Sequence, residues 1–229
     1  MRTMQVIVLA DGQVGSRAAL DAAWPGWIET GARVVAADGG ARHAGPLGLE
    51  IDRWIGDGDS LGAAGIEALA AAGVPVELAP PDKDESDTEL AALAARAMGA
   101  TQLTVLGALG GPRVDHALAN LGLLSMPELE PLGIRLVAVD ARVRRLLAPA
   151  PDGEPARLDL AGRVGDLVSL LPIGADAEGV TTHGLAYRLE DEALFVGRTR
   201  GLSNIRDLAE AAVVLRRGQL LVIETPATL

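Results

Sequence analysis

One rhythm constrains the fold more than anything else in this chain. Through roughly the first 140 residues, short apolar, β-branched runs alternate with alanine- and leucine-rich segments. The runs are MQVIVLA (4–10), ARVVAA (32–37), IDRWIG (51–56), VPVEL (74–78), TQLTVLG (101–107) and IRLVAV (134–139). Such alternation predicts an α/β fold. Runs this apolar suit strands of a mostly parallel sheet, covered on both faces. The clearest helix lies over 86–98, where Ser86 and Glu89 have capping-box spacing. Leu90, Leu93, Ala94 and Ala97 form its predicted apolar stripe, and Gly99 is its stop signal.

After residue 140 the rhythm changes. DLVSLLP (166–172), EGVTTHG (178–184), EALFVGR (192–198), EAAVVLRR (210–217) and QLLVIE (219–224) are short and separated by turn residues. No long helical segment intervenes, so a smaller all-β domain is expected over 141–229, after an α/β domain over 1–140. The Pro-rich stretch APAPDGEPA (148–156) reads as an interdomain linker or a long hairpin loop.

Composition narrows the function. The 229 residues are 49% hydrophobic and carry a net charge of −11. An acidic surface repels a nucleic-acid backbone, which argues against that partner class. It still accommodates a phosphorylated small ligand, because a cation held by carboxylates inverts the local field. No run approaches the ~20 apolar residues of a membrane span, and the opening MRTMQVIVLADG reads as a strand and its turn, not a signal peptide. With no cysteine, disulfides and zinc–thiolate sites are excluded. A cytoplasmic enzyme fits.

The polar residues collect at strand ends. Asp11-Gly12, ADGGAR (37–42), GDGDS (56–60), PDKDESD (81–87) and GALGGPRVDH (107–116) each follow a predicted strand. In a parallel sheet these turns share the carboxyl edge, where open α/β folds bind ligands. Asp57 and Asp59, at i and i+2, point the same way if the chain stays extended, and a divalent ion such as Mg²⁺ relieves their repulsion. The alternative reading makes Asp59 or Ser60 the cap of a helix over LGAAGIEALAAAG. Asp82, Asp84, Glu85 and Asp87 favour a helix N-terminus, but capping needs fewer acids, so metal or phosphate chemistry is a second role. In GALGGPRVDHALAN, Pro112 suits a first helical position, free N–H groups suit phosphate, and Arg113 suits a bidentate clamp. Val114, Leu118 and Leu121 are expected to face the core, with His116 and Asn120 on another face. Acids for a metal, with basic and N–H groups for phosphate, point to phosphoryl or nucleotidyl transfer.

Taken in order, AADGGA (36–41), IGDGDS (55–60), KDESDTELA (83–91), GGPRVDHALAN (110–120), TTHGLAYRL (181–189) and GLSN (201–204) resemble the thiamine pyrophosphokinase (thiamine diphosphokinase) family over nearly the whole chain. The resemblance implies an α/β catalytic domain that binds ATP and Mg²⁺, followed by a thiamine-binding β-sandwich. It implies a homodimer with the active site built between subunits. The implied reaction transfers the diphosphate of ATP to the hydroxyl of thiamine, giving thiamine diphosphate and AMP. By the same resemblance, Asp57, Asp59 and Asp84 or Asp87 are metal ligands. Arg113 holds phosphate, and Asp38, Gly39, Gly40 and Ser86 shape the substrate cleft. Asp115 meets the aminopyrimidine of thiamine, and Ser203 and Asn204 bind thiamine from the second domain. The chain departs from the family pattern at Gly58, where an aromatic is usual, at Pro112 within GGPR, and at Ile205 after GLSN. Alternatives are a diphosphokinase for another hydroxymethyl heterocycle, such as a reduced pterin, and a non-catalytic nucleotide- or thiamine-binding regulator.

Overall fold

A computed structural model describes residues 3–149 and 153–227. The chain divides into two compact units between Val139 and Asp140.

The first unit is built on six parallel strands: β1 (Gln5–Leu9), β2 (Arg33–Ala37), β3 (Arg53–Gly56), β4 (Val76–Leu78), β5 (Gln102–Leu106) and β6 (Gly133–Val137). Their spatial order is β6-β5-β1-β2-β3-β4, and all five pairings are parallel. The order reverses at β1: β2 to β4 extend to one side, β5 and β6 to the other. That reversal is the switch point at which doubly wound sheets open a crevice. All five residues of β1 are buried, as expected of a central strand covered on both faces.

The unit's helices are α1 (Arg17–Ala23), α2 (Ala44–Leu47), α3 (Ala63–Ala71), α4 (Asp87–Ala97) and α5 (Val114–Gly122), with short 3-10 turns including Asp38–His43. One core gathers Ile7, Leu9, Leu20, Trp24, Trp27 and Trp54. Each large side chain buried there stabilises the fold by about 1.5–3 kcal/mol. Helix α4 packs on β1, β2 and β3. Ser86 caps it by accepting from the Glu89 N–H at 3.2 Å. Its buried face is Ala91, Ala92, Ala94 and Ala95, which shares only Ala94 with the stripe of Leu90, Leu93, Ala94 and Ala97 read from the sequence. Small side chains let the helix lie close to the sheet, while Ala97 is exposed.

Helix α5 departs further from expectation. Val114 and Leu118 are 70% and 63% exposed, whereas Asn120 turns inward and donates to the Ala108 carbonyl at 3.0 Å. A hydrogen bond to the turn after β5 thus orients this helix more than its apolar residues do. Pro112 stands before the N-cap, Arg113, instead of at the first helical position.

The second unit is all β, as its rhythm predicts. One antiparallel sheet runs β12 (Asn204–Ile205), β9 (Leu167–Pro172), β14 (Gln219–Thr225), β7 (Arg142–Leu147). The other runs β11 (Glu192–Leu194), β10 (Ala177–His183), β13 (Ala211–Leu215), β8 (Ala156–Leu160). Leu170, Leu220 and Val222 from the first pack with Val180, Val213 and Leu215 from the second. The Pro-rich stretch joins β7 to β8 inside this unit, so it is not the joint between units; its residues 150–152 lie outside the described residues.

Arg142 and Glu224 sit opposite each other in the β7–β14 register. Arg142 donates twice to the Glu224 carboxylate, at 2.9 and 2.7 Å. Arg144 adds a third contact at 2.9 Å, and the Ala161 N–H a fourth at 3.0 Å. Glu224 is therefore a buried anion with two cations and a backbone donor around it.

Candidate active site

A cavity of about 420 Å³ opens in the first unit at the carboxyl edge of its sheet. Asp11, Asp38, Asp57, Asp59, Asp87 and Arg113 are among the residues lining it. Its floor is the switch point, where the Ala10 N–H donates to Leu106 O at 2.8 Å and the Gly12 N–H to Gly107 O at 3.1 Å. The turns after β1, β2, β3 and β5 and the start of α4 thus converge as the sequence predicts.

Asp38 organises the centre. It ends β2 and starts a 3-10 turn with φ of 39°, a left-handed conformation that aspartate tolerates better than most residues. The carboxylate is buried and accepts from the Ser60 N–H at 2.9 Å and the Leu61 N–H at 3.1 Å. The Trp54 indole N–H donates to the Asp38 carbonyl at 3.0 Å. Asp38 therefore pins the GDGDS turn to the end of β2. Gly40 makes the close approach possible: a Cβ there would lie 2.0 Å from the Leu9 carbonyl oxygen. Gly39 leaves room for the Asp11 carboxylate in the same way. Neither glycine lines the cavity, so their part in the expected substrate cleft is to admit their neighbours.

The GDGDS turn is not extended. Gly58 has φ of 82°, and the Asp59 N–H folds back to donate to Asp57 Oδ1 at 3.1 Å. A Cβ on Gly58 would lie 2.4 Å from Ile66 Cδ1. The terminal methyl of Ile66 thus occupies the direction in which a side chain at position 58 would leave the backbone. The capping alternative also falls: α3 begins at Ala63 behind Gly62, with no side-chain cap. Asp59 and Ser60 are left for another role.

Asp38, Asp57 and Asp59 each present a carboxylate oxygen within 4.8 Å of the other two. An all-oxygen set of this kind suits a hard divalent cation such as Mg²⁺. Asp57 and Asp59 belong to the expected ligand set, and Asp38 joins them. Asp87, also in the expected set, lies outside that three-oxygen group but lines the same cavity at the start of α4, with Lys83 3.1 Å from its Oδ1. Asp84 is exposed and does not line the cavity. Ser86 lines the cavity while its hydroxyl caps α4. Asp11, in the Asp-Gly turn that follows β1, is a further cavity residue beyond the expected set. It pairs with Arg42.

The charges differ in kind. Burial pushes the Asp38 carboxyl up, against the pull of the Ser60 and Leu61 N–H groups. Burial also raises Asp87, opposed by Lys83. The Asp59 N–H, and then the Lys83 ammonium, hold Asp57 below the ordinary range. A raised aspartate pKa means that the folded state binds its proton more tightly than the unfolded chain does. Stability then falls as pH rises from the ordinary aspartate value through the raised one. In chelator, Asp38→Asn is expected to flatten that fall, read by urea unfolding across the acid range. An unchanged slope would show that Asp38 titrates as a solvated acid.

Arg113 and Asp115 form an exposed ion pair with each other. The Arg113 guanidinium holds Asp115 far below the usual carboxylate range. Exposed pairs of this kind contribute little stability, so the pair opens easily to other partners. His116 lines the same cavity.

In the second unit, Asn204 is largely satisfied by its own fold. Its Oδ1 accepts from the Tyr187 and Ile205 N–H groups, each at 2.9 Å, and its Nδ2 donates to the Tyr187 carbonyl at 2.6 Å. The Ser203 N–H donates to Ser169 Oγ at 3.0 Å, with φ of 55° at Ser203. Asn204 and the 61% exposed Tyr187 line a separate small cavity of about 130 Å³. The asparagine amide thus holds the backbone that presents Tyr187.

An acidic cleft at the switch point of a parallel sheet, with a β-sandwich unit following in the chain, defines a two-unit α/β plus all-β protein. Residues 27–136 match the family profile "Thiamin pyrophosphokinase, catalytic domain", and residues 157–220 match "Thiamin pyrophosphokinase, vitamin B1 binding domain". The chain belongs to the thiamin pyrophosphokinase family. Its fold is shared with the thiamine pyrophosphokinase of Bacillus subtilis, at a TM-score of 0.80 and 22% identity over 97% of this chain and 99% of that one. The Geobacillus thermodenitrificans protein gives 0.80 and 22% over 98% and 99%. The Candida albicans protein gives 0.74 and 13% over 98% and 89%. No curated protein sequence matches the chain. Among the described residues, no helix is long and apolar enough to cross a membrane.

Proposed function

We propose that the protein is a cytoplasmic thiamine diphosphokinase, transferring the diphosphate of ATP to thiamine. The observation that carries this reading is the Asp38–Asp57–Asp59 oxygen cluster in the switch-point cleft, inside the segment matching the family's catalytic domain. In the step, the thiamine hydroxyl oxygen forms a bond to the β-phosphorus of ATP. The bond from that phosphorus to the α,β-bridging oxygen breaks, AMP leaves, and a cleft carboxylate accepts the hydroxyl proton. Asp57 and Asp59, with Asp38, are the residues that would hold Mg²⁺, which when bound neutralises charge on the phosphate oxygens. Arg113 turns from Asp115 to phosphate, with the α5 N-terminus behind it. The freed Asp115 meets the aminopyrimidine. Ser203, and Asn204 through Tyr187, serve thiamine from the sandwich unit. Positioning and electrostatics supply most of the catalysis. Two copies associate so that each active site is completed by its partner; the exposed Val114 and Leu118 of α5 support such association.

Purified protein with ATP, Mg²⁺ and thiamine is expected to release AMP and thiamine diphosphate in equal amounts. AMP released only with a reduced pterin alcohol would reassign the acceptor. Thiamine binding without turnover would make the protein a regulator.

A further inference from the structure

Lys83 has no part in the chemistry described above, yet its surroundings are unusual for a surface lysine. Asp82, Asp84 and Glu85 around it are exposed, while its own side chain is only 11% exposed. Its Nζ lies 3.1 Å from Asp57 Oδ2, a hydrogen bond, and 3.1 Å from Asp87 Oδ1, an ion pair without hydrogen-bond geometry. The two carboxylates come from different places in the chain, the turn after β3 and the first residue of α4. Both line the acidic cleft.

The consequence is geometric and electrostatic. Asp57 has one oxygen held by the Asp59 N–H and the other by Lys83. Two donors on two oxygens fix the plane of the carboxylate, so Asp57 keeps one orientation before any ligand arrives. Asp87 stays beside it although both are acids. A tethered ammonium also makes the cluster one charge less negative than its aspartates alone, which weakens its pull on a free divalent ion.

We propose that Lys83 is a positioning residue acting through Asp57 and Asp87: its ammonium holds the two carboxylates in place and sets how strongly the cleft draws in a divalent cation. For the cation and the reaction, the inference rests on the diphosphokinase reading.

The test uses the full chain and Mn²⁺ alone as probe, with no nucleotide. Wild type, Lys83→Met and Lys83→Arg are titrated by calorimetry and melted in chelator. Lys83→Met is expected to bind Mn²⁺ about tenfold tighter and to melt at lower temperature without metal. Its turnover number for AMP formation should fall while the KM for thiamine stays near wild type. Lys83→Arg, which keeps the charge, should restore both the Mn²⁺ affinity and the melting temperature. If Lys83→Met does not fold, Lys83→Gln carries the comparison. Wild-type Mn²⁺ affinity and melting in the neutral variant would overturn the inference alone. A wild-type protein that binds no Mn²⁺ would overturn it together with the cation reading.

Discussion

Asp57→Asn and Asp59→Asn are each expected to lower thiamine diphosphate formation by about 10²-fold or more, with the fold intact. Both substitutions keep the shape of the side chain and remove one negative charge from a cluster whose oxygens lie within 4.8 Å of each other. The turn survives the first change, because an asparagine oxygen can still accept from the Asp59 N–H. Lys83 retains Asp87 as a partner. Asp59 is exposed and does not cap α3, so its removal has little to unfold. Circular dichroism and melting curves near wild type, together with lost turnover, are the expected pattern. Near-normal rates in both variants would reduce these aspartates to turn residues.

The second large effect concerns stability. Glu224→Gln is expected to cost about 3–5 kcal/mol, because it leaves two guanidinium groups buried without their anion. The glutamine keeps the volume, but its amide presents donors toward Arg142 and Arg144, which are themselves donors. Trp24, Trp27 and Trp54 all lie in the first unit, so tryptophan fluorescence follows that unit's unfolding. The far-UV transition of the β-sandwich should therefore move to lower urea while the tryptophan signal moves less. An unmoved sandwich transition would mean that the triad is well solvated and contributes little.

The same triad explains part of what could not be read from the sequence. The rhythm of apolar runs predicts β1 to β6, and β9, β10, β13 and β14 also sit where short alternating runs place them. Strand β7 is absent from that reading. RVRRLL carries three arginines in six residues, and two of them are matched by a glutamate some eighty positions later. Local pattern cannot register an ion pair closed over that distance. Strand β8 is missed for a different reason: ARLDL alternates as a half-buried strand should, but it is only five residues long and follows the Pro-rich stretch directly.

In the candidate site, sequence reasoning finds which turns meet, because parallel strands send all their carboxyl ends to one edge. It does not find who holds whom. Asp38, expected in the substrate cleft, lines it and also ties down Ser60 and Leu61 through two backbone N–H groups twenty-two and twenty-three residues away. The outward face of α5 escaped for a related reason: one buried asparagine, tied to the Ala108 carbonyl, decides the rotation of the helix.

Gly58 carries an implication for how such a site can change over time. Its backbone is left-handed and its missing side chain would collide with Ile66. An aromatic at this position would need Ile66 to turn its terminal methyl aside and the turn to take a different path. The end of a flexible side chain gives way at little cost, so the backbone conformation of the turn is the larger obstacle to any side chain at 58. The glycine answers to the left-handed shape of its own turn, separately from the chemistry of the two aspartates that flank it.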